Sequence, residues 1–278
     1  GVDIEKHINQ LSFMGFTEVI KKIYKINKNL KFCKRDISHF NPDAIILIDF
    51  PGFNLKIAKY AKQKRIKVFY YICPKVWAWK KSRVELLREY VDEIIVIFPF
   101  EVDYFNKEGI KVHYFGNPIS DEIRKKTEKL SINNSKSIIS ILPGSRIQEI
   151  KRNLPTMLEV ISEFTNYQFV IASTEEMYDL CEQISKGKDV DIVRDQTYSV
   201  LKESELALVT SGTATLETAI FNVPQLVCYK TDSLTYFLAK LFIKIKWISL
   251  VNIIMEKKVV KEFIQSRMTQ QNLVSEIN

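Results

Sequence analysis

Short runs of continuous apolar residues alternate along this chain with segments in which apolar positions recur every three or four residues. The first run, Ala44-Ile-Ile-Leu-Ile48, is β-branched and ends at Asp49-Phe-Pro-Gly-Phe-Asn54, so it reads as a buried strand meeting a loop. Residues 55–64 then carry helical spacing, with Leu55 and Ala58, and Ile57 and Ala61, on shared apolar faces. Strand 68–72, helix 80–91, strand 94–98, a helix from Glu101 and strand 112–115 complete a first series. A polar, charged stretch follows at 121–137, with no hydrophobic strand. The second series runs through strand 138–142, helix 148–164, strand 167–171, helix 175–186, strand 190–193, helix 197–203, strand 205–209, helix 213–222 and strand 225–229. Strands with largely continuous apolar runs, separated by amphipathic helices, predict parallel sheets covered on both faces. The expected fold class is α/β, with two Rossmann-like doubly wound domains, 1–121 and 122–278, facing a cleft at the carboxyl ends of their strands.

Composition narrows the partners more than the fold. A chain of 278 residues, 46% hydrophobic and 27% charged, has enough material for two cored domains. Its net charge of +8 and isoelectric point near 9.1 favour acidic partners: nucleic acid, nucleotide phosphates or an anionic membrane surface. The basic residues are not interleaved with a recognition module for nucleic acid, which leaves that partner the least favoured. Cys33, Cys73, Cys181 and Cys228 form no C-x-x-C pair, and His7, His39 and His113 are as scattered, so reduced thiols and no metal are expected. The most apolar long stretch, 234–251, is interrupted by Lys240, Lys244 and Lys246 and does not read as a membrane span. The chain opens on Gly1 within a helix-like pattern, so absent targeting signals carry little weight.

Candidate chemistry collects at the predicted strand ends. Pro143-Gly144-Ser145-Arg146 follows strand 138–142, where a glycine admits close backbone approach and an arginine fork suits phosphate oxygens; a tight turn with a solvated arginine is the equal alternative. Thr210-Ser-Gly-Thr-Ala-Thr-Leu-Glu-Thr218 stands in the same relation to strand 205–209. There Gly212 relaxes the turn, Thr213 or Ser211 is expected to cap the helix, and Glu217 shares a side with Thr213 and Ala214. That carboxylate could accept from the vicinal hydroxyls of a ribose, or simply complement the helix dipole. Asp49 is a candidate general base or hydrogen-bond acceptor, and Asn54 a cap for the next helix. Trp77 and Trp79 either pack or wall a substrate. Two basic amphipathic segments, 11–31 with Phe13, Met14, Phe16, Val19 and Ile20, and 234–251, face either a core or an anionic bilayer.

Read in order, IDFPGFN (48–54), VWAWK (76–80), FPFE (98–101), FGNP (115–118), LPGSR (142–146), SGTATLET (211–218) and ISLVNII (248–254) resemble the lipid-A-disaccharide synthases over nearly the whole chain, and MGFTEVI (14–20) has its counterpart there too. The resemblance implies a GT-B glycosyltransferase, without metal or other cofactor, that joins UDP-2,3-diacylglucosamine to 2,3-diacylglucosamine 1-phosphate. It implies that UDP leaves as a β-1,6 disaccharide forms with inversion, at the cytoplasmic face of the inner membrane. Gly144, Ser145 and Arg146 would then hold the diphosphate; Ser211, Gly212, Thr213, Ala214, Thr215 and Glu217 the nucleoside, with Asn252 nearby. Asp49 would be the base or acceptor anchor, with Asn54, Trp77 and Trp79 on the acceptor side. Phe13, Met14, Phe16, Val19 and Ile20 would meet the anionic membrane, and a homodimer is a further expected partner state. The family's loop Gly-Glu-x-Ser-Gly-Asp would precede residue 1 and its helical tail follow about residue 278. Gly52, Cys73 and Asn117 depart from the Asp, Ser and His frequent in the family. The rivals are another UDP-sugar enzyme of this fold, an epimerase or lipid-linked glycosyltransferase, and a non-catalytic membrane-surface or nucleotide-binding remnant.

Overall fold

The computed structural model describes residues 4–5, 23–77, 82–125, 130, 136–233, 235–237 and 246–278. The chain divides into two units, Gly1–Gly116 and Asn117–Asn278. The first holds α1 (Ile23–Phe40), β1 (Ala44–Ile48), α2 (Pro51–Gln63), β2 (Lys67–Tyr71), α3 (Arg83–Tyr90), β3 (Glu93–Val96), α4 (Pro99–Lys107) and β4 (His113–Tyr114). Its strands are parallel and lie in the order β1-β2-β3-β4. Ile57, Ala58 and Ala61 of α2 pack with Val68 and Tyr70 of β2, Leu87 of α3 and Phe105 of α4 to make the core.

The run 44–48 is not covered on both faces as its sequence suggests. Only Leu47 is buried, while Ile46 and Ile48 are 68% and 55% exposed. Among the described residues β1 is the outer strand of its sheet, paired on one side only, so its continuous apolar pattern exceeds the cover it receives. The following helix also begins earlier than its spacing implies. Pro51 occupies the first turn, with φ preset for helix, and the chain turns in through Phe50.

The second unit opens with α5 (Pro118–Lys125) and continues β5 (Ile138–Leu142), α6 (Ile147–Leu158), β6 (Gln168–Ser173), α7 (Tyr178–Ser185), β7 (Asp191–Arg194), α8 (Thr197–Glu203), β8 (Ser204–Thr210), α9 (Thr213–Ile220), β9 (Gln225–Tyr229), α10 (Leu250–Ile254), β10 (Lys261–Ile264) and α11 (Gln270–Ile277). Its six parallel strands run β10-β9-β8-β5-β6-β7. Every residue of β5 is buried, as befits a central strand. The chain winds outward from β5 to β7, then crosses back to lay β8 on the other flank of β5. That reversal leaves a crevice at the carboxyl ends of β5 and β8, where open α/β sheets bind ligands. The elements after residue 229 carry no strong period: β10 is the four-residue Lys-Glu-Phe-Ile, with one buried apolar side chain, Phe263. Among the described residues no helix is long and apolar enough to cross a membrane, and no cluster of His, Cys, Asp or Glu could hold a metal.

Candidate functional site

Two strand-to-helix turns meet at this crevice, because β5 and β8 are paired with Leu142 opposite Val209. In the first, Gly144 adopts φ +106°, a left-handed backbone that favours glycine. A methyl added there would stand 2.8 Å from Glu149 Oε2 and 3.4 Å from Thr210 Cγ2. Gly144→Ala is therefore expected to cost about 1–3 kcal/mol in backbone strain and displaced Glu149. Denaturant unfolding checks this, and unchanged stability would mean that the turn is not held as described. Ser145 and Arg146 are exposed, and Arg146 Nη1 donates to Glu149 Oε1 at 2.7 Å. The arginine is thus at the site but engaged by an acid of its own helix.

The second turn departs from the expected capping. Neither Ser211 nor Thr213 caps α9; Gly212 holds the cap position with extended backbone and no side-chain bond reaches the helix start. Ser211 Oγ instead donates to Ile248 O at 2.9 Å, and Thr215 Oγ1 donates back to Gly212 O at 2.8 Å. No acid stands in the first turn of α9, so the helix itself supplies no carboxylate to its positive end. Beside it, the Thr210 hydroxyl is buried and has no hydrogen-bond partner. Buried hydroxyls are rarely left so. Ala214 and Glu217 are half-buried; Glu217 lies near Tyr198, whose hydroxyl is pushed up to about 12 by burial first and by that carboxylate second.

The segment 248–254 is brought against this turn, for Leu250 N donates to Thr215 Oγ1 at 3.3 Å. Asn252, however, is fully buried and faces β10. Its Oδ1 accepts from Val259 N (2.7 Å) and Val260 N (2.9 Å), and its Nδ2 donates to Val260 O and Glu262 Oε1, both at 2.9 Å. That is the whole hydrogen-bonding capacity of the amide. Glu262 in turn accepts from Ile248 N and Ser249 N. In this arrangement Asn252 braces the segment that Ser211 and Thr215 touch.

In the first unit, Asp49 sits at the carboxyl end of β1 with an exposed side chain, and Asp49 and Phe50 have φ +45° and +46°. Ile72, at the end of the adjacent β2, has φ +58°. Left-handed backbone at non-glycine positions costs of order 1–3 kcal/mol each, and such strain gathers at functional sites. It is held here by Asn54 Nδ2, which donates to Ile48 O and Asp49 O, and by the buried Tyr70 hydroxyl, which donates to Asp49 O at 2.6 Å. Asn54 therefore ties the strand end from inside α2 rather than capping a helix that starts after it. Trp77 is half-buried and fixed by Glu101, which accepts from its Nε1 at 3.0 Å. Glu101 is 1% exposed, also accepts from Ile97 N and Phe98 N, and has its carboxyl raised by burial. Trp79, Phe13, Met14, Phe16, Val19 and Ile20 lie outside the described residues.

Three residues outside the candidate set adjoin its members. Glu149 holds Arg146, Thr210 offers the unpartnered hydroxyl, and Glu101 positions Trp77. Glu101 carried a signal: proline then an acid three residues into FPFE is a helix-start pattern. Glu149, three residues after Arg146, carried a weaker one, and Thr210 only its place at the head of the 210–218 stretch.

A family model described as Lipid-A-disaccharide synthetase matches residues 1–277. The lipid-A-disaccharide synthase of Persephonella marina is 36% identical over 98% of this chain and 77% of its own length. That of Syntrophus aciditrophicus is 35% identical over the whole of this chain and 76% of its own. Among solved structures, the UDP-GlcNAc 2-epimerase from Neisseria meningitidis bound to UDP-GlcNAc shares the fold at a TM-score of 0.58 and 16% identity, over 99% of this chain and 76% of that one. MurG of Acinetobacter baumannii does so at 0.52 and 15%, over 91% and 69%. The chain belongs to the lipid-A-disaccharide synthase family of glycosyltransferases.

Proposed function

We propose that the chain transfers 2,3-diacylglucosamine from UDP-2,3-diacylglucosamine to 2,3-diacylglucosamine 1-phosphate, with inversion, giving the β-1,6 disaccharide and UDP. The observation that carries this is the pair of turns at the β5/β8 crevice: a left-handed glycine and an arginine on one side, an uncapped helix start on the other. Together they suit a diphosphate. The acceptor's 6-hydroxyl oxygen bonds to the anomeric carbon as the bond from that carbon to the UDP oxygen breaks, its electron pair passing to the diphosphate. Amides at Gly144 and Ser145, the start of α9 and the Arg146 guanidinium take up that charge, with Arg146 turning from Glu149 to do so. Ser211, Thr213, Ala214 and Thr215 line the nucleoside side, Glu217 accepts from the ribose hydroxyls, and Asn252 keeps the adjoining segment in place. Asp49 takes the acceptor's proton, and Trp77 and Trp79 wall the acceptor side.

A UDP-release assay with acylated and unacylated donors tests the reaction, and preference for the unacylated donor would sink it in favour of an epimerase-like enzyme. Glu217→Gln is expected to weaken UDP binding about tenfold, as a charge-assisted contact becomes a neutral one. Asp49→Asn is expected to slow turnover about a hundredfold at unchanged UDP affinity. UDP binding unaltered by the first, or turnover unaltered by the second, removes that residue from the site. Because both substrates are anchored by acyl chains, the proposal extends to peripheral binding at the cytoplasmic face of the inner membrane through Phe13, Met14, Phe16, Val19 and Ile20. Flotation with anionic vesicles, lost on replacing Phe13 and Phe16 by serine, checks it; flotation without UDP binding would favour a non-catalytic remnant.

A further inference from the structure

Beyond the carboxyl ends of β9 and β10 lies a cavity of about 550 Å³ bounded by Arg152, Lys230, Thr231, Tyr236, Gln265 and serines 233 and 266. All of these side chains carry a polar group, two are cationic, and among the described residues no carboxylate lines the space.

The cations are held before any ligand arrives. Lys230 is gripped at both ends by α6: its backbone N–H donates to the buried Asn153 Oδ1 at 2.6 Å, and its Nζ to Thr156 Oγ1 at 2.8 Å. An ammonium has three N–H donors, so two remain beyond the Thr156 bond. Arg152 Nη1 donates to Asp232 Oδ2 at 3.2 Å. Asp232 is itself committed, since its Oδ1 accepts from Thr235 N at 2.8 Å; that cap first, and Arg152 after it, hold its carboxyl down to about 2. Arg152, Lys230 and Asp232 together leave one uncompensated positive charge. Gln265 has φ +52° and spans the backbone of Thr231, its Nε2 donating to Thr231 O at 3.1 Å and its Oε1 accepting from Thr231 N at 3.0 Å.

We propose that this cavity is a binding site for a phosphate monoester, separate from the diphosphate turns. Two fixed cations among hydroxyls and an amide match a compact dianion with three acceptor oxygens. Resting on the function proposed above, the occupant is the 1-phosphate of the acceptor sugar.

The test is calorimetric titration of this chain with glucosamine 1-phosphate, with inorganic phosphate as the free-anion arm, each in the presence of saturating UDP. Glucosamine 1-phosphate is expected to bind alongside UDP and more tightly than inorganic phosphate. Lys230→Met and Arg152→Gln are each expected to weaken it about tenfold or more, with UDP affinity changed less than twofold. Lys230→Arg, which keeps the charge, is expected to retain most of the binding and controls for misfolding. Displacement of the sugar phosphate by UDP, or wild-type binding by Lys230→Met, overturns the site. Binding here by a chain that releases no UDP from the acylated donor would remove the proposed reaction and leave the site standing.

Discussion

Arg146→Ala is expected to lower the rate of UDP release about a hundred- to a thousandfold, the range found when a donor to a developing anion is removed. The effect should fall on turnover more than on donor affinity, since the guanidinium is paired to Glu149 in the unliganded chain and gains most when charge builds on the leaving diphosphate. Stability should barely change. The Arg146 side chain is 53% exposed, and an ion pair so open to solvent contributes little. Arg146→Lys supplies the control: it keeps the charge but loses the planar fork, so it should recover only part of the lost rate. Full activity in Arg146→Ala, with UDP release as the readout, would take the PGSR turn out of the chemistry and leave it a turn with a solvated arginine.

The parts of the fold that could be read in advance are those where local pattern and final burial agree. Ile138–Leu142 is apolar except for Ser140 and buried throughout, and Gln225–Tyr229 behaves almost as well. Ala44–Ile48 has an equally apolar pattern but a different fate, because periodicity reports what a strand could bury and not which neighbours it has. Lys261–Ile264 escaped for the opposite reason: its place is fixed by pairing with β9 and by Glu262 accepting amides from residues 248 and 249, neither of which leaves a hydrophobic trace. The same division holds at the site. Glycine and arginine in a strand-to-helix turn announce themselves by residue type. Glu149 left only its i,i+3 spacing from Arg146, and Thr210 is distinguished by the absence of a partner, which only coordinates show. Capping shows the limit most plainly, since Ser211 and Thr213 have the right chemistry for a cap while Ser211 is drawn away to Ile248 O.

Asn252→Ala is expected to cost about 2–5 kcal/mol, because four hydrogen bonds of roughly 0.5–1.5 kcal/mol each disappear around a fully buried amide whose partners are only partly shielded from water. The amides of Val259 and Val260, the carbonyl of Val260 and Glu262 Oε1 all lose a partner in one substitution. For a unit of this size the melting temperature should fall by about 10 °C. Asn252→Asp should be no better at neutral pH. It keeps the two accepted bonds but sets a second carboxylate against Glu262 and against the carbonyl of Val260, and the loss should shrink as the pH falls and one carboxyl takes up a proton. Thermal unfolding gives the first readout and UDP affinity at 10 °C the second. If Asn252 acts as a brace, the alanine variant binds UDP within about twofold of wild type once cooled well below its melting point, since the contacts of Ser211 and Thr215 with residues 248 and 250 re-form in the folded chain. A direct contact between Asn252 and the nucleotide predicts the reverse: a tenfold loss of affinity that cooling does not restore.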